Sequence, residues 1–501
     1  MHLKQPTLEE LKQICKQLNM NLDEDTLVDY RNIIGNNLRT YQLLDSVPEP
    51  RRTITQPRAL GRPPTPEENP WNAISWVTNI KEKEDGKLKG KTIAIKDNIA
   101  VAGVPMMNGS RIMIGFIPDF DATVVTRVLE EGGRIVAKAT NENLCRDGGS
   151  FSSYPLPVKN PRNPEYMTGG SSSGCAALVA SGYCDMAIGG DQGGSIRTPA
   201  SWTGVYGLKP TYGLVPYTGA MSLELSIDHL GPMASNTKDL ALLLEVIAGR
   251  DGLDPRQPEA LSAPPVREYS SLNGDIRDFR IGIVKEGFNL EDSDKDVDAL
   301  VRSRAENLVR LGARVEEVSI PMHRMGKAIF GPIGSEGVFV TMFLGNGVGF
   351  GYKGYYFSSM AEFFNKSVKT RVDDLPETVK VRALQGLYMI QKYGAHYYYK
   401  AQNLCLELKA SYDRAFEKYD ALVLPTNPMK AQKLREPRDA YEHMKMGLGN
   451  TVNTAPFNLT GHPALNVPVG YSESLPVGMM VVGRSFDEQR ILNVSYALET
   501  S

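Results

Sequence analysis

A turn rich in glycine and serine, Gly169-Gly-Ser-Ser-Ser-Gly174, leads directly into the small apolar run Cys175-Ala-Ala-Leu-Val-Ala180. Glycines permit unusual backbone dihedral angles and a close approach of the backbone to other groups. The small residues that follow suit a helix packed tightly in the protein interior. A serine of this turn therefore lies near a helix N-terminus, where backbone N–H groups lack intrahelical partners. Such a serine either has a chemical role or simply caps the helix.

A second glycine-rich loop, Asp191-Gln-Gly-Gly-Ser195, follows the short apolar run at residues 186–188. Two glycines directly before a serine allow several backbone N–H groups to converge on one point, as an oxyanion hole requires. One such donor contributes roughly 3–4 kcal/mol of transition-state stabilisation. The loop therefore indicates a nucleophile at Ser195, although an anion-binding turn or a tight structural loop fits the same residues.

Lys96 ends a third motif, the apolar run Thr92-Ile-Ala-Ile95, which predicts a short buried strand. A lysine at the end of a buried strand is a candidate for desolvation, which disfavours the ammonium form. A neutral lysine amine can act as a general base. On these residues alone, the simpler interpretation is a lysine that extends to solvent or pairs with Asp97.

Strand and helix patterns alternate on both sides of these motifs. Further strands are predicted at residues 134–138, 186–188, 280–284, 314–318, 421–424 and 477–482. One helix is predicted to be capped by Asp121 and to end at Gly132. Others are predicted at about 238–249, at 295–311 and from 487 onward. This alternation predicts an α/β fold, in which helices cover a sheet.

Four regions are predicted along the chain: an N-terminal helical region and linker at 1–70, the first part of a core at 71–320, an inserted small sub-domain or lid at 321–399, and the completing part of the core at 400–501. Thr7 and Glu10 have the spacing of a capping box at the start of the helical stretch. The linker at 47–70 is rich in proline and arginine. The insert combines glycines at 345–354 with aromatic residues, a pattern that a loose surface excursion would share.

Composition limits the class of protein. The chain has 501 residues, 41% of them hydrophobic, and a formal net charge of −2, so no global basic surface indicates nucleic acid or an anionic membrane as a partner. Five scattered cysteines, an odd number, argue against a disulfide framework and for a reducing cytoplasm. No apolar run of bilayer-spanning length and no secretory signal are recognised. We therefore expect a cytoplasmic protein without a membrane or nucleic-acid partner.

The sequence offers no convincing nucleotide-binding or zinc-binding motif. Gly90-Lys-Thr92 resembles the end of a phosphate-binding loop, but Asp85 stands where that loop needs glycine. The G-x-G-x-x-G match at 349–354 has only Asp373 and Asp374, in a polar stretch, near the distance of a ribose-binding acid. Neither H-E-x-x-H nor paired C-x-x-C motifs occur, so the sequence predicts no metal site.

A nucleophile elbow centred on Ser172 is the strongest competing motif. Gly170-Ser-Ser-Ser-Gly174 satisfies the G-x-S-x-G pattern of α/β-hydrolases, in which a buried strand leads into the serine. Pro161 and Pro164 precede the motif and are incompatible with such a strand. The later histidines that could serve as base are isolated in sequence, so this interpretation is disfavoured.

The three motifs together, at these separations, resemble the amidase signature family. The matching segments are Ile95-Lys-Asp-Asn98, the 169–174 turn, Asp191-Gln-Gly-Gly-Ser-Ile-Arg197, Gly207-Leu-Lys-Pro-Thr-Tyr-Gly213 and Leu230-Gly-Pro-Met233. The resemblance is strong over residues 71–320 and looser in the C-terminal strands and helix. The helical N-terminus and the insert are most similar to the longer bacterial amidases, the acylamide amidohydrolases of nitrile-degradation pathways. The resemblance implies the amidase-signature fold, a mixed central sheet flanked by helices.

The resemblance also implies a Ser-cisSer-Lys triad. Ser195 is the expected nucleophile, Ser171 relays a proton after a cis peptide bond to Gly170, and Lys96 is the base. The backbone N–H groups expected to form the oxyanion hole are those of Gln192, Gly193, Gly194 and Ser195. No metal ion or organic cofactor is required by this chemistry.

The substrate pocket is less defined than the triad. Cys145 corresponds to a position that lines the acyl pocket in relatives, although a plain buried cysteine fits equally, and Ser172 is a further candidate. Many family members carry threonine where this chain has Gln192, so any side-chain contact from that position to the relay serine is not expected here. Asp191 and Arg197 are expected to form a structural ion pair that holds the loop.

The predicted function is an amidase that hydrolyses small carboxylic amides to an acid and ammonia or an amine through an acyl-enzyme on Ser195. Anilides, carbamates and esters are alternative substrates, because the same acyl-enzyme serves them all. An amidotransferase A-type subunit is a second hypothesis, which Gln192 weakens. A non-catalytic binding protein is disfavoured because all three triad positions are filled. The resemblance further suggests a homodimer formed through the N-terminal helices.

Overall fold

The computed structural model describes residues 3–50, 54, 58–261 and 268–501. The chain divides into two compact units, residues 1–53 and residues 54–501. The second unit is not divided further, so the predicted boundaries at residues 71, 321 and 400 stay predictions. Part of the predicted linker, at 51–53 and 55–57, lies outside the described residues.

The N-terminal unit contains two helices, α1 (Leu8–Gln17) and α2 (Glu24–Asp45). The Thr7–Glu10 capping box is present, with each side chain bonded to the backbone N–H of the other residue. The predicted helical stretch is interrupted after α1, and Asp23 caps α2 by accepting from the N–H of Thr26 at 2.7 Å. The interruption follows from this second cap, because a cap residue has non-helical dihedral angles.

The second unit is built on one mixed sheet of eleven strands among the described residues. In chain order these are β1 (Ile74–Ile80), β2 (Thr92–Lys96), β3 (Arg134–Ala139), β4 (Met186–Asp191), β5 (Tyr206–Lys209), β6 (His229–Ala234), β7 (Arg280–Val284), β8 (Arg314–Val318), β9 (Ala421–Pro425), β10 (Ala464–Ser472) and β11 (Leu475–Val482). Their order in the sheet is β1-β3-β2-β4-β6-β5-β10-β11-β9-β7-β8. Strand β2 is parallel to β3 and β4, and β7 is parallel to β8 and β9, whereas the other pairs are antiparallel. The predicted α/β class with a mixed sheet is confirmed.

Helices flank this sheet. They are α3 (Thr123–Glu130), α4 (Ser173–Ala180), α5 (Arg197–Thr203), α6 (Thr237–Ile247), α7 (Lys295–Glu306), α8 (Gly326–Pro332), α9 (Ser358–Arg371), α10 (Glu377–Tyr393), α11 (His396–Phe416), α12 (Ala440–Leu448), α13 (Ala455–Thr460) and α14 (Glu488–Glu499). Helix α7 continues as a 3-10 helix at Asn307–Leu311. As its small apolar residues predict, α4 lies in the core, packed against β4 and β2.

The prediction that Asp121 caps a helix is wrong. Helix α3 has Ala122 at its N-cap position and no side-chain cap. The Asp121 carboxylate instead accepts from the N–H of Ala102 at 2.8 Å and pairs with both terminal nitrogens of Arg58. A bidentate pair with a guanidinium offers this carboxylate two charge-assisted bonds to a cation, which explains the difference. Arg58 belongs to the predicted linker, so this end of the linker is fixed to the second unit.

The 321–399 segment begins with a continuous helical run, Pro321–Leu344, that includes α8 and two π-helical turns. This run corrects the expectation that no segment is long and apolar enough to span a bilayer. More than half of its most apolar window is buried in the protein, as in a core helix. The glycine-rich loop after it turns through positive φ angles at Gly347, Gly349 and Gly351, which the lack of a Cβ permits.

Two neighbouring parallel strands place the predicted motifs together. Lys96 is the last residue of β2, and Asp191 is the last residue of β4. Because parallel strands end at the same edge of a sheet, the lysine and the glycine-rich loop after Asp191 lie at a common edge. This edge, with the turn before α4, is the location of the candidate site.

Candidate active site

Lys96 is completely buried and points to the predicted relay serine. Its Nζ atom is 2.8 Å from Ser171 Oγ and 3.1 Å from the carbonyl oxygen of Gly190. Asp97 pairs with Lys138 instead, with 3.0 Å between Nζ and Oδ1. Both simpler interpretations of Lys96, a solvent-exposed lysine and a partner of Asp97, are therefore wrong.

Ser171 and Ser172 have different partners. The Gly170–Ser171 peptide bond is cis, as the family resemblance implied. Ser172 is at the N-cap position of α4 but makes no side-chain cap, so the simple capping interpretation does not apply to it. Its hydroxyl donates to the carbonyl oxygen of Gly190 at 3.0 Å, and its backbone N–H donates to the carbonyl oxygen of Ser195 at 3.0 Å. Ser172 thus ties the turn to the loop, while Ser171 faces the lysine.

The loop that carries Ser195 is held by a buried ion pair. Two nitrogens of Arg197 each lie 3.0 Å from a carboxylate oxygen of Asp191, and both side chains are fully buried. Burial opposes ionisation of this carboxyl, but Arg197 outweighs burial and lowers the pKa of Asp191. The same carboxylate accepts from the N–H groups of Gly194 at 2.8 Å and Ile196 at 3.1 Å. Asp191 and Arg197 therefore fix the loop, as expected.

The predicted oxyanion donors are not equivalent. The N–H of Gly194 is already donated to Asp191, so the expectation for Gly194 is revised. Within the part of the chain that the structure describes, the N–H groups of Gln192, Gly193 and Ser195 have no hydrogen-bond acceptor. These three groups remain free to bind an oxyanion.

The side chain of Gln192 bonds to Tyr217, and the described residues show no hydrogen bond from it to the relay serine. Its Nε2 atom donates to the hydroxyl of Tyr217 at 3.0 Å, and its Oε1 atom is buried without a partner. Tyr217 in turn donates to the carbonyl oxygen of Met221 at 3.1 Å. The amide therefore supports the wall of the site.

Cys145 lies beside the lysine and the relay serine. Its thiol donates to Asn108 Oδ1 at 3.3 Å and accepts from Asn141 at 3.4 Å. Burial raises the pKa of Cys145, against the opposing influence of Lys96 and Ser171. A raised pKa disfavours the thiolate, which is the nucleophilic form of cysteine.

A small cavity adjoins Ser195. Its volume is about 30 Å³, enough for one or two water molecules. Its lining comprises Cys145, Arg146, Asp147, Gly148, Gly170, Gln192, Gly193, Gly194, Ser195, Thr198, Leu223, Phe330, Gly447, Leu448, Asn450 and Thr451. The ring of Phe330, on α8, covers the oxyanion loop, with Cζ 3.1 Å from where a Cβ on Gly193 would stand. The ring therefore forms one wall of the space beside Ser195.

Several residues at the site carry no local sequence signal. Thr454 donates its hydroxyl to the carbonyl oxygen of Gly193 at 2.5 Å and accepts from Arg197 through its own carbonyl at 2.9 Å. Asn458 accepts from Arg197 at 2.7 Å. These groups come from a segment about 260 residues after the loop. The mixture of polar and apolar residues at 453–458 is the one local pattern that could have indicated buried polar contacts there.

Glu142 adjoins the relay serine through its backbone N–H. Glu142 donates its N–H to the carbonyl oxygen of Ser171 at 3.2 Å, and its carboxylate accepts from the backbone and hydroxyl of Ser152. Burial, together with the negative charge of Asp147, raises the pKa of Glu142 to about 7.

Across residues 3–50, 54, 58–261 and 268–501, no group of three or more His, Cys, Asp or Glu side chains is arranged to hold a metal ion.

Comparison with known proteins agrees with this geometry. The Amidase family model matches residues 64–492. The chain belongs to the amidase signature family. It is 43% identical to an enantioselective amidase of Rhodococcus rhodochrous over 429 residues, which are 85% of this chain and 82% of that protein. It is 36% identical to the A-type subunit of the glutamyl-tRNA(Gln) amidotransferase of Halothermothrix orenii over 424 residues, 84% of this chain and 86% of that protein.

Solved structures of this family share the fold. The A-type subunit of the glutamyl-tRNA(Gln) amidotransferase of Thermotoga maritima matches with a TM-score of 0.69 and 30% identity, over 86% of this chain and 88% of that chain. The peptide amidase PAM, in complex with chymostatin, matches with a TM-score of 0.66 and 27% identity, over 83% and 84%. The predicted family and fold are confirmed, and the enzyme is a hydrolase that acts on amide C–N bonds.

Proposed function

We propose that the enzyme cleaves carboxylic amides through an acyl-enzyme on Ser195, with Ser171 as proton relay and Lys96 as base. The observation that carries the proposal is the 2.8 Å contact between Lys96 Nζ and Ser171 Oγ, two completely buried side chains. A serine hydroxyl is a weak nucleophile and needs an adjacent base. The hydrogen bond from Ser172 to the carbonyl of Ser195 ties the relay turn to the nucleophile loop.

Each proton has a defined destination in this mechanism. Ser195 Oγ forms a bond to the amide carbonyl carbon, its proton passes to Ser171 Oγ, and the proton of Ser171 passes to Lys96 Nζ. The C–N bond then breaks as Ser171 returns a proton to the leaving nitrogen. Water attacks the acyl-enzyme through the same relay and releases the acid. We assign oxyanion stabilisation to the free N–H groups of Gln192, Gly193 and Ser195, with Gly194 holding the loop.

Small carboxylic amides are the proposed substrates, because the cavity at Ser195 is narrow. The identity to an enantioselective amidase supports this class. Anilides, carbamates and esters stay as alternatives that share the acyl-enzyme. An amidotransferase subunit is a competing function, supported by the 36% identity to such subunits, and it would require a partner chain and tRNA-dependent turnover.

The test is a panel of amides, anilides, carbamates and esters, assayed with the wild type and with Ser195→Ala. We expect Ser195→Ala to abolish turnover of every substrate, a loss of at least about 10⁴-fold. Ser173→Ala is the matched control, because the buried Ser173 hydroxyl has no hydrogen-bond partner. Full activity in Ser195→Ala, or equal losses in both variants, would rule out Ser195 as the nucleophile.

We further propose a cytoplasmic homodimer that contacts neither membrane nor nucleic acid. The N-terminal unit supports the dimer, because apolar side chains of its helices are exposed: Ile14, Leu18, Ile33, Leu43 and Leu44. The scattered free cysteines support the compartment. Light scattering of the full chain and of a chain that lacks residues 1–46 tests the dimer, which should be lost on truncation.

A further inference from the structure

Arg146 is a buried cation that the proposed chemistry does not use. It follows Cys145, lines the cavity at Ser195 and has 5% of its surface exposed. A guanidinium carries five N–H donors. In the described chain, the hydrogen bond of this side chain runs from Nη2 to the carbonyl oxygen of Gly334, at 2.8 Å, and Nε is buried without a partner.

No carboxylate of the described residues forms an ion pair with Arg146. The adjacent carboxylate, Asp147, is bound elsewhere through Oδ2, which accepts from Thr378 Oγ1 at 3.0 Å and lies 3.4 Å from His443 Nε2. Its Oδ1 atom is buried without a hydrogen-bond partner, and its charge acts on Arg146 without a direct ion pair. A buried charge without a counter-ion is strongly unfavourable. The guanidinium is therefore placed for a group that the protein itself does not supply.

A second cation adds to this excess of positive charge. Burial and the nearby charge of Arg382 lower the pKa of Arg146 to about 9, with Asp147 opposing, so the side chain stays charged at neutral pH. Arg382, on α10, also has its Nε buried without a partner, and burial lowers its pKa. Arg382 is partly exposed, but its charge acts on the buried Arg146, and two like charges near each other favour a bound anion.

The lining of a neighbouring cavity is also cationic. A wider cavity of about 550 Å³ shares Leu448 with the cavity at Ser195, and its lining includes Arg382, Lys327 and Lys445. Its acidic lining residues are Asp292, Asp294 and Glu473. The carboxylates of Asp294 and Glu473 are bound by Lys430, through its backbone N–H and Nζ respectively. A backbone N–H carries no charge, so the lining's four cations, Lys327, Arg382, Lys430 and Lys445, exceed its three carboxylates by one. This balance favours the approach of an anion.

We propose that Arg146 binds a carboxylate of the substrate, and that the enzyme prefers amides that carry one, such as the monoamides of dicarboxylic acids. This inference rests on the proposed amide hydrolysis and names its substrate class. A guanidinium and a carboxylate form charge-assisted, bidentate hydrogen bonds, which a neutral substituent cannot replace. Arg146 is thus a specificity residue and takes no part in the proton relay.

The wild-type enzyme provides the first test. Succinamate and butyramide differ by a carboxylate in place of a methyl group, and N-butyrylglycine and N-ethylbutyramide differ in the same way on the amine side. We expect the charged member of one pair to have a kcat/KM roughly 10- to 100-fold higher than its neutral partner. The pair that shows the preference identifies the side of the scissile bond that Arg146 faces. Equal or better turnover of both neutral amides would overturn the proposal.

Arg146→Gln provides the second test. We expect it to remove the preference for the charged amide while kcat/KM for its neutral partner changes little, and Arg146→Lys to retain part of the preference. The matched control is Arg277→Gln, an exposed arginine whose replacement should leave the preference intact. A preference that survives in a folded Arg146→Gln would contradict the role of Arg146.

A binding measurement separates this inference from the proposed function. Titration calorimetry of Ser195→Ala with the two pairs of amides requires no turnover. Tighter binding of the charged member of one pair, lost in the Ser195→Ala/Arg146→Gln double variant, would support the subsite even if no amide were hydrolysed. Hydrolysis of neutral amides by the wild type, with no tighter binding of either charged amide, would refute the subsite and leave the proposed function intact.

Discussion

At the scale of single residues, the interpretation of Lys96 changes once its surroundings in the fold are known. From the sequence alone, Lys96 is better explained as a solvent-exposed lysine or as a partner of Asp97. The structure buries it completely and pairs Asp97 with Lys138. The role of Ser195 could be predicted from the physical chemistry of its glycine loop alone, whereas the role of Lys96 could be predicted only from the three motifs taken together. Thr454 could not be predicted, because its contact with the loop spans about 260 residues of sequence.

Replacement of Lys96 by alanine tests the base. We expect kcat to fall by roughly 10²- to 10⁴-fold, the usual contribution of general base catalysis. The loss should be of similar size for every amide of the panel, because the lysine contacts Ser171 and not the substrate. Lys89→Ala, which removes an exposed lysine, is the control. A kcat close to that of the wild type in Lys96→Ala would leave the lysine with only a structural role.

At the scale of elements, the strands near the motifs were predicted closely, and the helix starts less well. Strands β2, β7 and β8 have the predicted bounds. The start of α3 was misassigned to Asp121, because the competing partner, Arg58, lies far away in sequence. Helix α8 was not predicted as part of the site, since nothing in its sequence indicates that Phe330 covers the oxyanion loop. Within the predicted lid at 321–399, Phe330 is therefore the specific residue to test.

Phe330→Ala tests whether α8 limits the size of the substrate. Removing the ring enlarges a cavity that holds one or two waters, so bulky aromatic amides should gain in kcat/KM relative to small aliphatic amides. We expect the ratio to rise by about fivefold or more, as for a contact worth roughly 1–3 kcal/mol. Phe343→Ala, in the same helical run but absent from the cavity lining, is the control. An unchanged ratio in Phe330→Ala would show that the ring does not limit access.

At the scale of the whole molecule, the α/β class and the mixed sheet followed from the alternation of elements, but the strand order did not. The pairing of β5 with β10 joins residues 206–209 to residues 464–472, and no local pattern encodes such a distant pair. The molecule also buries several acids, which the sequence does not mark. Burial, against hydrogen bonds from Ser226, raises the pKa of Glu224 to about 7.

This raised pKa predicts how global stability changes with pH. An acid whose pKa is higher in the folded state than in the unfolded state loses stability as pH rises from about 4.5 to about 7. Glu224→Gln removes that loss, so its free energy of unfolding should improve relative to wild type by up to about 3 kcal/mol between pH 5 and pH 8. Urea unfolding at both pH values measures the difference. Glu259→Gln, an exposed substitution, should show none, and a pH-independent difference for Glu224→Gln would contradict a raised pKa.

The most direct measurement of the mechanism is the position of a covalent adduct. A serine-directed fluorophosphonate reacts with the activated nucleophile, and peptide mass spectrometry then locates the modified residue. We predict an adduct on Ser195 in the wild type, and its loss in Ser195→Ala and Lys96→Ala. An adduct on Ser172 would contradict the assignment and would instead support a nucleophile elbow in the 170–174 turn.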